Sequence, residues 1–338
     1  MTSKIKPRIG ITLGDLNGIG TEVVIKSLMD KRMLNLITPV IFGCSKSLTF
    51  YKNNLEIPEF NFSIVKEKGQ YATNTINVVN CWEDKVNITP GQPSRESGHL
   101  ALLGLKAVVE ATKEELIDGF VTAPIDKSTI HGEDFPFKGH TEYLTQSFEA
   151  TESLMLMVSD QLKVGLVTEH FSLREVVNRI TKDLVELKIR LFEHSLKKDF
   201  LICKPKIAVL ALNPHAGEDG LLGSEENVII KPVIEELQNL GKLIYGPFPA
   251  DGFFGMCLHK KFDGTLAMYH DQGLVAFKYI AFDSGVNFTA GLPTVRTSPD
   301  HGTAYDIAGK NCAEEGSMRR AIFLAADIIK NRVEWKND

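Results

Sequence analysis

Short apolar runs alternate with amphipathic segments along most of the chain. Apolar runs that end in turn residues predict buried strands, and apolar positions repeated every three or four residues predict helices. Strand-like and helix-like segments follow each other in RIGITLG and TEVVIKSLMDK, PVIFGC and SKSLTFYKNN, LKVGLVTEH and SLREVVNRIT, and PKIAVLALNPH and SEENVIIKPVIEELQNLG. This alternation predicts an α/β protein with a mainly parallel sheet covered by helices.

Two other segments complete the pattern. NITPGQPSRESG, residues 87–98, is the most loop-like stretch, and a helix is expected from about Gly98. A last helix is expected at roughly residues 316–333. Because the chain has 338 residues, it can bury a large core and is expected to form two lobes rather than one.

The composition narrows the class of protein. The formal net charge of −5 argues against a general nucleic-acid binder, which is usually basic. The N-terminus MTSKIKPRIG has no apolar signal region, and no apolar stretch approaches the roughly 20 residues that span a bilayer. The five cysteines are scattered and form no C-x-x-C, so we expect reduced thiols in a cytoplasmic protein.

Three histidines each close an apolar run. His170 ends VGLVTEH, His215 ends AVLALNPH and His270 ends TLAMYH. In open parallel sheets, ligands bind beyond the carboxyl ends of the strands, and three neutral imidazoles there suit a divalent ion such as Zn²⁺, Co²⁺ or Mn²⁺. Each histidine is equally typical of a loop after a strand when it is taken alone. The three together predict a shared metal site.

Two carboxylates lie near these histidines in the sequence. Asp271 is next to His270 and could bind the metal or orient an imidazole. Asp251, in PADGFF, is a further candidate, although an aspartate in a Pro/Gly-rich loop is also an ordinary turn residue.

Two polar clusters suggest an anionic ligand. FPFKGHTEYL places Lys138, His140 and Thr141 together. Thr141 is either the N-cap of the next helix or part of an anion pocket, because helix N-termini near a cation bind phosphate and carboxylate. Lys278, Asn287 and Arg296 follow in a segment rich in Gly and Pro. Lys278 is expected beyond a strand end and Arg296 among turn residues; each cation is either solvated or a phosphate ligand.

Two glycine-containing loops are candidate nucleotide sites. GDLNGIG, residues 14–20, follows the first strand, but its spacing is not the Rossmann G-x-G-x-x-G and it lacks the lysine of a P-loop. Its glycines are equally explained by a tight strand-to-helix turn. DHGTAYDIAGK, residues 300–310, is the more specific motif.

These motifs together resemble one family, the PdxA family of 4-hydroxythreonine-4-phosphate dehydrogenases. The resemblance covers nearly the whole chain, from GITLGDLNGIG through FKGHTEYL, LNPHAGE and AMYHDQG to VNFTAGLPTVRTSPDHGTAYDIAGK. HGTAYDIAG also resembles the adenine-binding loop of isocitrate and isopropylmalate dehydrogenases, which bind NAD(P) without a Rossmann fingerprint. The family's opening loop often reads Gly-Asp-Pro-Ala-Gly-Ile-Gly-Pro-Glu, whereas this chain has GDLNGIGTE.

The resemblance implies a fold and an organisation into lobes. It implies two α/β/α lobes with mainly parallel sheets, similar to isocitrate and isopropylmalate dehydrogenases, with the active site in the cleft between them. Residues 1–130 and 280–338 are expected to form the first lobe, with the cofactor loop. Residues 131–279 are expected to form the second lobe, with the metal ligands and dimer contacts. The family works as a homodimer with its active site at the subunit interface.

The resemblance also assigns residues to roles. Metal ligands fall on His170, His215 and His270. Substrate contacts fall on His140, Thr141, Lys278, Asn287 and Arg296. The cofactor loop falls on His301, Gly302, Thr303, Ala304 and Asp306. The base that takes the hydroxyl proton is either Lys278 or a water held by Asp251 or Asp271.

The implied reaction is an oxidation of 4-phosphooxy-L-threonine by NAD or NADP, aided by one divalent Zn, Mg, Co or Mn ion. The product, 2-amino-3-oxo-4-(phosphooxy)butanoate, loses CO₂ to give 3-amino-2-oxopropyl phosphate in pyridoxal 5′-phosphate synthesis. Dehydrogenases of 4-phosphoerythronate or 4-phosphothreonate have a similar scaffold. A metal-dependent phosphosugar hydrolase or aldolase fits the histidines and the anion pocket equally well, and a non-catalytic binding protein is a third alternative.

Overall fold

The computed structural model describes residues 6–83, 86–132, 135–137 and 139–336. The chain divides into two compact units. The first unit holds Met1–Thr151 and Leu292–Val333, and the second holds Glu152–Gly291 and Glu334–Asp338. Within the described ranges, no helix is long and apolar enough to cross a membrane.

The first unit contains six strands and seven helices among its described residues. From the N-terminus these are β1 (Arg8–Thr12), α1 (Gly20–Leu28), α2 (Met33–Leu36), β2 (Thr38–Gly43), α3 (Ser45–Asn54), β3 (Phe62–Ile64), β4 (Ile76–Asn80), α4 (Arg95–Lys113), β5 (Gly119–Val121), α5 (Lys127–Ile130) and α6 (His140–Ser147), and after the second unit β12 (Arg296–Pro299) and α12 (Gly316–Trp335). The last residues of α12 belong to the second unit.

The second unit holds the remaining strands and helices. These are β6 (Leu154–Val158), β7 (Lys163–Leu166), α7 (Leu173–Arg179), α8 (Lys182–Lys198), β8 (Ile207–Leu210), α9 (Lys231–Asn239), β9 (Ile244–Phe248), α10 (Ala250–Gly255), β10 (Gly264–Ala267), α11 (His270–Ala281) and β11 (Val286–Ala290).

All the strand pairs of the first unit are parallel. The strand order is β3-β4-β2-β1-β5-β12, with Ile11 paired to Ile41 on one side and to Val121 on the other. Strands β1, β2 and β5 are almost entirely buried, as is typical of a parallel sheet with helices on both faces. One core cluster packs Leu105 and Val108 of α4 against Phe42 and Phe120.

The second unit has a mixed sheet. The strand order is β11-β6-β7-β10-β8-β9. Strands β7, β10, β8 and β9 are parallel, while β6 is antiparallel to both β7 and β11. Its core cluster includes Leu166, Leu210, Phe253 and Phe277, and α11 lies over this face. The predicted α/β class with mainly parallel strands is therefore confirmed, with two antiparallel pairs added.

The units differ from the expected lobes at both boundaries, for reasons of packing. Leu144 of α6 lies in the core cluster of Phe120, which ties residues 131–151 to the first unit. Strand β11 pairs with β6 along its whole length, which ties residues 286–290 to the second.

Helix α4 begins at Arg95, earlier than expected, because the Ser94 side chain accepts a hydrogen bond from the backbone N–H of Ser97 at 3.1 Å.

Candidate active site

The three strands that precede the predicted metal-ligand histidines are neighbours in one sheet. Strand β10 lies between β7 and β8 and is parallel to both, with Ala267 paired to Leu166 and Leu266 paired to Val209. Their carboxyl ends therefore lie at the same edge of the sheet, as the sequence predicted.

His170 and His270 lie side by side at this edge. Their ring centroids are 5.5 Å apart, and the ring planes meet at 43°. Both rings line a pocket of about 250 Å³. The pocket is lined by Glu169, His170, Phe171, Leu173, Val176, Tyr269, His270 and Asp271. The carboxyl of Glu169 has a raised pKa because burial disfavours its charged form.

AMYHDQG joins a strand to a helix. His270 was expected to end a strand, but it is the first residue of α11, and Tyr269 is the N-cap. The Gln272 side chain accepts from the backbone N–H of Met268 at 2.7 Å and donates to the carbonyl of Ala211 at 2.6 Å. This amide thereby fixes the turn and links it to the segment after β8.

Asp271 lies against the imidazole of His270. Its Oδ1 is 2.7 Å from Nδ1 of His270, while its side chain is 79% exposed. A carboxylate that accepts from Nδ1–H leaves Nε2 of the ring available as an acceptor or ligand. Of the three interpretations left open for Asp271, this contact supports orientation of His270.

His215 does not line the pocket of His170 and His270. It is exposed and lies in a turn in which residues 215–219 all have positive φ. The buried Glu226 supports this turn by accepting from the backbone N–H groups of Leu212 and Asn213 at 2.8 and 2.7 Å. Side chains beyond a left-handed turn take directions that a strand pattern does not predict.

The residues therefore fit the predicted metal only in part. His170 and His270 supply two imidazoles in one pocket. Over residues 6–83, 86–132, 135–137 and 139–336, no group of three His, Cys, Asp or Glu side chains is arranged to hold a metal ion. The three-histidine site therefore stays a prediction.

Two of the predicted anion-binding residues, Arg296 and His140, are in contact in the first unit. Arg296 was expected among turn residues, but it is the first residue of β12 and is only 2% exposed. Its Nε and Nη2 donate to Oγ1 of Thr122 at 3.1 and 2.6 Å. Nη2 also lies 3.3 Å from Nδ1 of His140. A buried guanidinium held in this way is a fixed positive charge.

His140 begins helix α6. The N-cap is Gly139, so the interpretation of Thr141 as the N-cap is wrong; Thr141 is the second helical residue. Desolvation lowers the pKa of His140 well below its usual value, and the cations Arg296 and Lys127 lower it further. The imidazole is therefore neutral at pH 7, next to two positive charges and a helix N-terminus. Lys138 lies outside the described residues.

Lys127 was not singled out by sequence reasoning. Its Nζ lies near the backbone of Gly139, 3.6 Å from where a Cβ would be. It follows β5, the neighbour of β12 in the sheet. In the sequence, Lys127 can be recognised as a lysine that follows a strand. Its place beside Arg296 depends on the pairing of β5 with β12, which the sequence does not show.

The remaining predicted substrate and base residues lie in the second unit. Lys278 is a half-buried residue of α11 rather than a strand-end residue. Asn287 lies on β11, and its buried Oδ1 has no hydrogen-bond partner among the described residues. An unsatisfied buried acceptor costs free energy unless a ligand or water pairs with it. Asp251 is exposed on α10.

The predicted cofactor loop follows β12. Gly302 and Asp306 are exposed, and a Cβ at Gly302 would meet no atom within 4 Å. Nδ1 of His301 lies 3.0 Å from the carbonyl of Gly302, and Ala304 has a φ of 42°. An open surface with a ring, a carboxylate and exposed backbone groups fits the adenosine end of a nucleotide.

Comparison with known proteins identifies the family. The family described as "Pyridoxal phosphate biosynthetic protein PdxA" matches residues 35–325. The 4-hydroxythreonine-4-phosphate dehydrogenase of Bacteroides thetaiotaomicron is 49% identical over 98% of this chain and 91% of its own. That of Aquifex aeolicus is 41% identical over 95% of this chain and 98% of its own.

A solved structure gives the same result. The crystal structure of 4-hydroxythreonine-4-phosphate dehydrogenase from Klebsiella pneumoniae superposes with a TM-score of 0.83 at 34% identity, covering 96% of this chain and 98% of that one. The chain therefore belongs to the PdxA family and is an oxidoreductase of the dehydrogenase type.

Proposed function

We propose that this chain oxidises 4-phosphooxy-L-threonine with NAD or NADP and releases 3-amino-2-oxopropyl phosphate, in the cytoplasmic synthesis of pyridoxal 5′-phosphate. The observation that carries the proposal is the Arg296–His140–Lys127 cluster, a concentration of positive charge around a buried guanidinium in a member of the PdxA family. A substrate with a phosphate and a carboxylate needs such a pocket.

The cluster binds and orients the substrate. Nδ1 of His140 faces an N–H of Arg296, and because a guanidinium only donates, Nδ1 accepts and the ring proton sits on Nε2. His140 then donates from Nε2 to a substrate oxygen, while Arg296 and Lys127 balance its negative charge. Thr141, Lys278 and Asn287 are the further substrate contacts that the family resemblance implies.

The chemistry then runs in two steps. NAD(P), if bound at the loop of His301, Gly302, Thr303, Ala304 and Asp306, would supply the acceptor for the hydride that leaves C3. The hydroxyl proton passes to Lys278, or to a water held by Asp251 or Asp271. The resulting 3-oxo acid loses CO₂, and the enolate left behind takes up a proton. Cations held close to the substrate stabilise the negative charge of both the alkoxide and the enolate.

A divalent ion at His170, His215 and His270 belongs to the same proposal. Two imidazoles in one pocket, one of them oriented by Asp271, support it. Zn, Mg, Co and Mn all remain candidates, because imidazole-rich sites accept several ions.

A homodimer is proposed as well, through the outer face of α11. Val275, Tyr279 and Phe282 are 68%, 91% and 70% exposed. They recur at the spacing of one helix face, and an apolar stripe of this kind marks an interaction surface. The occupant is a second copy of this chain, as the family resemblance implies.

One assay tests the reaction. The purified protein is incubated with 4-phosphooxy-L-threonine, NAD⁺ or NADP⁺ and a divalent metal, while reduced nicotinamide is followed at its absorbance maximum and CO₂ is trapped. Reduction with release of CO₂ is expected. Faster reduction with 4-phosphoerythronate or 4-phosphothreonate would reassign the substrate, and no reduction with any of the three would reject the proposal.

A further inference from the structure

The GDLNGIG loop of residues 14–20 is in direct contact with the proposed cofactor loop. The backbone N–H of Ile19 donates to the carbonyl of Thr303 at 2.9 Å. A Cβ at Gly18 would lie 2.8 Å from the same carbonyl oxygen, so only glycine allows this approach without a shift. The GDLNGIG motif therefore packs against the proposed cofactor loop. This contact accounts for its glycines, which do not match a nucleotide-binding fingerprint.

Asp15 supplies the polar part of this contact. The hydroxyl of Tyr305 donates to Oδ2 of Asp15 at 2.9 Å. Burial raises the pKa of Tyr305, and the Asp15 carboxylate raises it further, so the phenol keeps its proton and remains a donor. Tyr305 lies between Ala304 and Asp306 of the cofactor loop, so the bond fixes the middle of that loop.

The Asp15 carboxylate is itself rigidly held. Its side chain is fully buried. Oδ1 accepts from the backbone N–H of Asn17 at 2.8 Å, and Oδ2 accepts from Oγ of Ser97, near the start of α4, at 3.1 Å. The backbone N–H of Asp15 donates to the carbonyl of Pro124 at 2.9 Å. A buried carboxylate that accepts from this many donors has little freedom to move.

We propose that Asp15 is a positioning residue for NAD(P): its carboxylate, through Tyr305, holds residues 301–306 in the conformation that receives the nucleotide. The inference rests on the proposed cofactor loop. Neither residue needs to touch the nucleotide. Because the loop is already ordered before the nucleotide binds, the binding free energy does not include the entropic cost of ordering the loop.

The test compares Tyr305→Phe and Asp15→Asn with the unchanged protein. Calorimetry gives the dissociation constants for NAD⁺ and NADP⁺, and amide hydrogen exchange of residues 301–306 is followed without nucleotide. Tyr305→Phe should speed the exchange and weaken nucleotide binding about three- to tenfold, since it removes one hydrogen bond to a charged group. Substrate-analogue binding and the midpoint of thermal unfolding should change little. Tyr71→Phe is the matched control, a partly buried tyrosine packed against the core cluster of Phe42 instead.

The outcomes separate the two proposals. Unchanged nucleotide affinity in both variants, or faster loop exchange without weaker binding, overturns the positioning role while the dehydrogenase proposal stands. Equal weakening of nucleotide and substrate binding also overturns it, because that result indicates a general loss of structure. If the unchanged protein binds neither nucleotide, the cofactor loop itself is misassigned and both proposals fail. Should Asp15→Asn not fold, Tyr305→Phe alone decides.

Discussion

Arg296 and His140 share one contact, with Nη2 of the guanidinium 3.3 Å from Nδ1 of the imidazole. The charge of the arginine is permanent, so the histidine cannot be protonated at Nδ1 while the contact lasts. The pair therefore presents a fixed cation and a neutral N–H donor, which together complement a doubly negative group such as phosphate.

Thr122 is expected to govern the position of Arg296. Replacing Thr122 by Val removes the hydroxyl that accepts from Nε and Nη2, and with it two of the hydrogen bonds that hold the guanidinium. We expect the Michaelis constant for substrate to rise about tenfold, because a hydrogen bond to a charged group contributes about 1.5–3 kcal/mol. Thr122→Ser should restore most of the affinity. Steady-state kinetics check this, and an unchanged Michaelis constant in Thr122→Val would contradict it.

Lys127 is expected to contribute charge without fixed geometry. Lys127→Ala should raise the Michaelis constant for the phosphorylated substrate about three- to tenfold at low salt, less at high salt, since exposed charges are screened. Lys127→Arg should keep most of the affinity. Lys106→Ala, which removes an exposed lysine on α4, is the control. Equal effects of the two alanine variants would remove Lys127 from the site.

His140 should make the protein less stable in acid. Because its folded-state pKa is lowered, the unfolded chain binds the proton first as pH falls below the ordinary value of about 6.5. The free energy of unfolding should therefore fall as pH drops below this value, by at most about 1.4 kcal/mol per pH unit for one proton. His140→Asn should reduce this dependence in urea titrations at several pH values. Identical slopes in both proteins would mean that folding does not lower the pKa of His140.

Metal binding should depend on the histidines that follow β7, β8 and β10. His170→Ala, His215→Ala and His270→Ala are each expected to lose bound metal, measured by inductively coupled plasma mass spectrometry. Asp271→Asn should weaken binding about 10–100-fold, because it loosens the orientation of His270. His99→Ala, at an exposed residue of α4, should retain the metal. Full metal content in all three alanine variants would reject the three-histidine site.

The exposed face of α11 should control assembly. Tyr279→Glu places a charge in the middle of the apolar stripe, so we expect the mass in solution, measured by light scattering, to fall from dimer to monomer. Leu240→Glu changes another exposed apolar residue, 66% exposed beyond α9, and should leave the mass unchanged. A Tyr279→Glu protein that remains dimeric would place the interface elsewhere.

The family, the enzyme class and most strands and helices were predictable from local patterns. The helix predicted in SKSLTFYKNN is α3, Ser45–Asn54, and PVIFGC holds β2, Thr38–Gly43. The parallel strands that precede His170, His215 and His270 were recognised for the same reason. Buried strands and amphipathic helices each have a characteristic spacing of apolar residues, so both can be recognised from the sequence.

Contacts between distant segments were not predictable in this way. Arg296 reads as a solvated cation in its own segment and becomes a buried, fixed charge only because β12 pairs with β5 and brings Thr122 to it. His215 shares its strand-end pattern with His170 and His270, yet it lies in a left-handed turn held by Glu226, which the pattern does not predict. Asp15 and Tyr305 are joined across most of the chain. The sequence by itself determined which elements form, since those depend on neighbouring residues, and its motifs showed the resemblance to the PdxA family. Only the tertiary structure decided which polar side chains meet, because strand pairing and turn handedness set those distances.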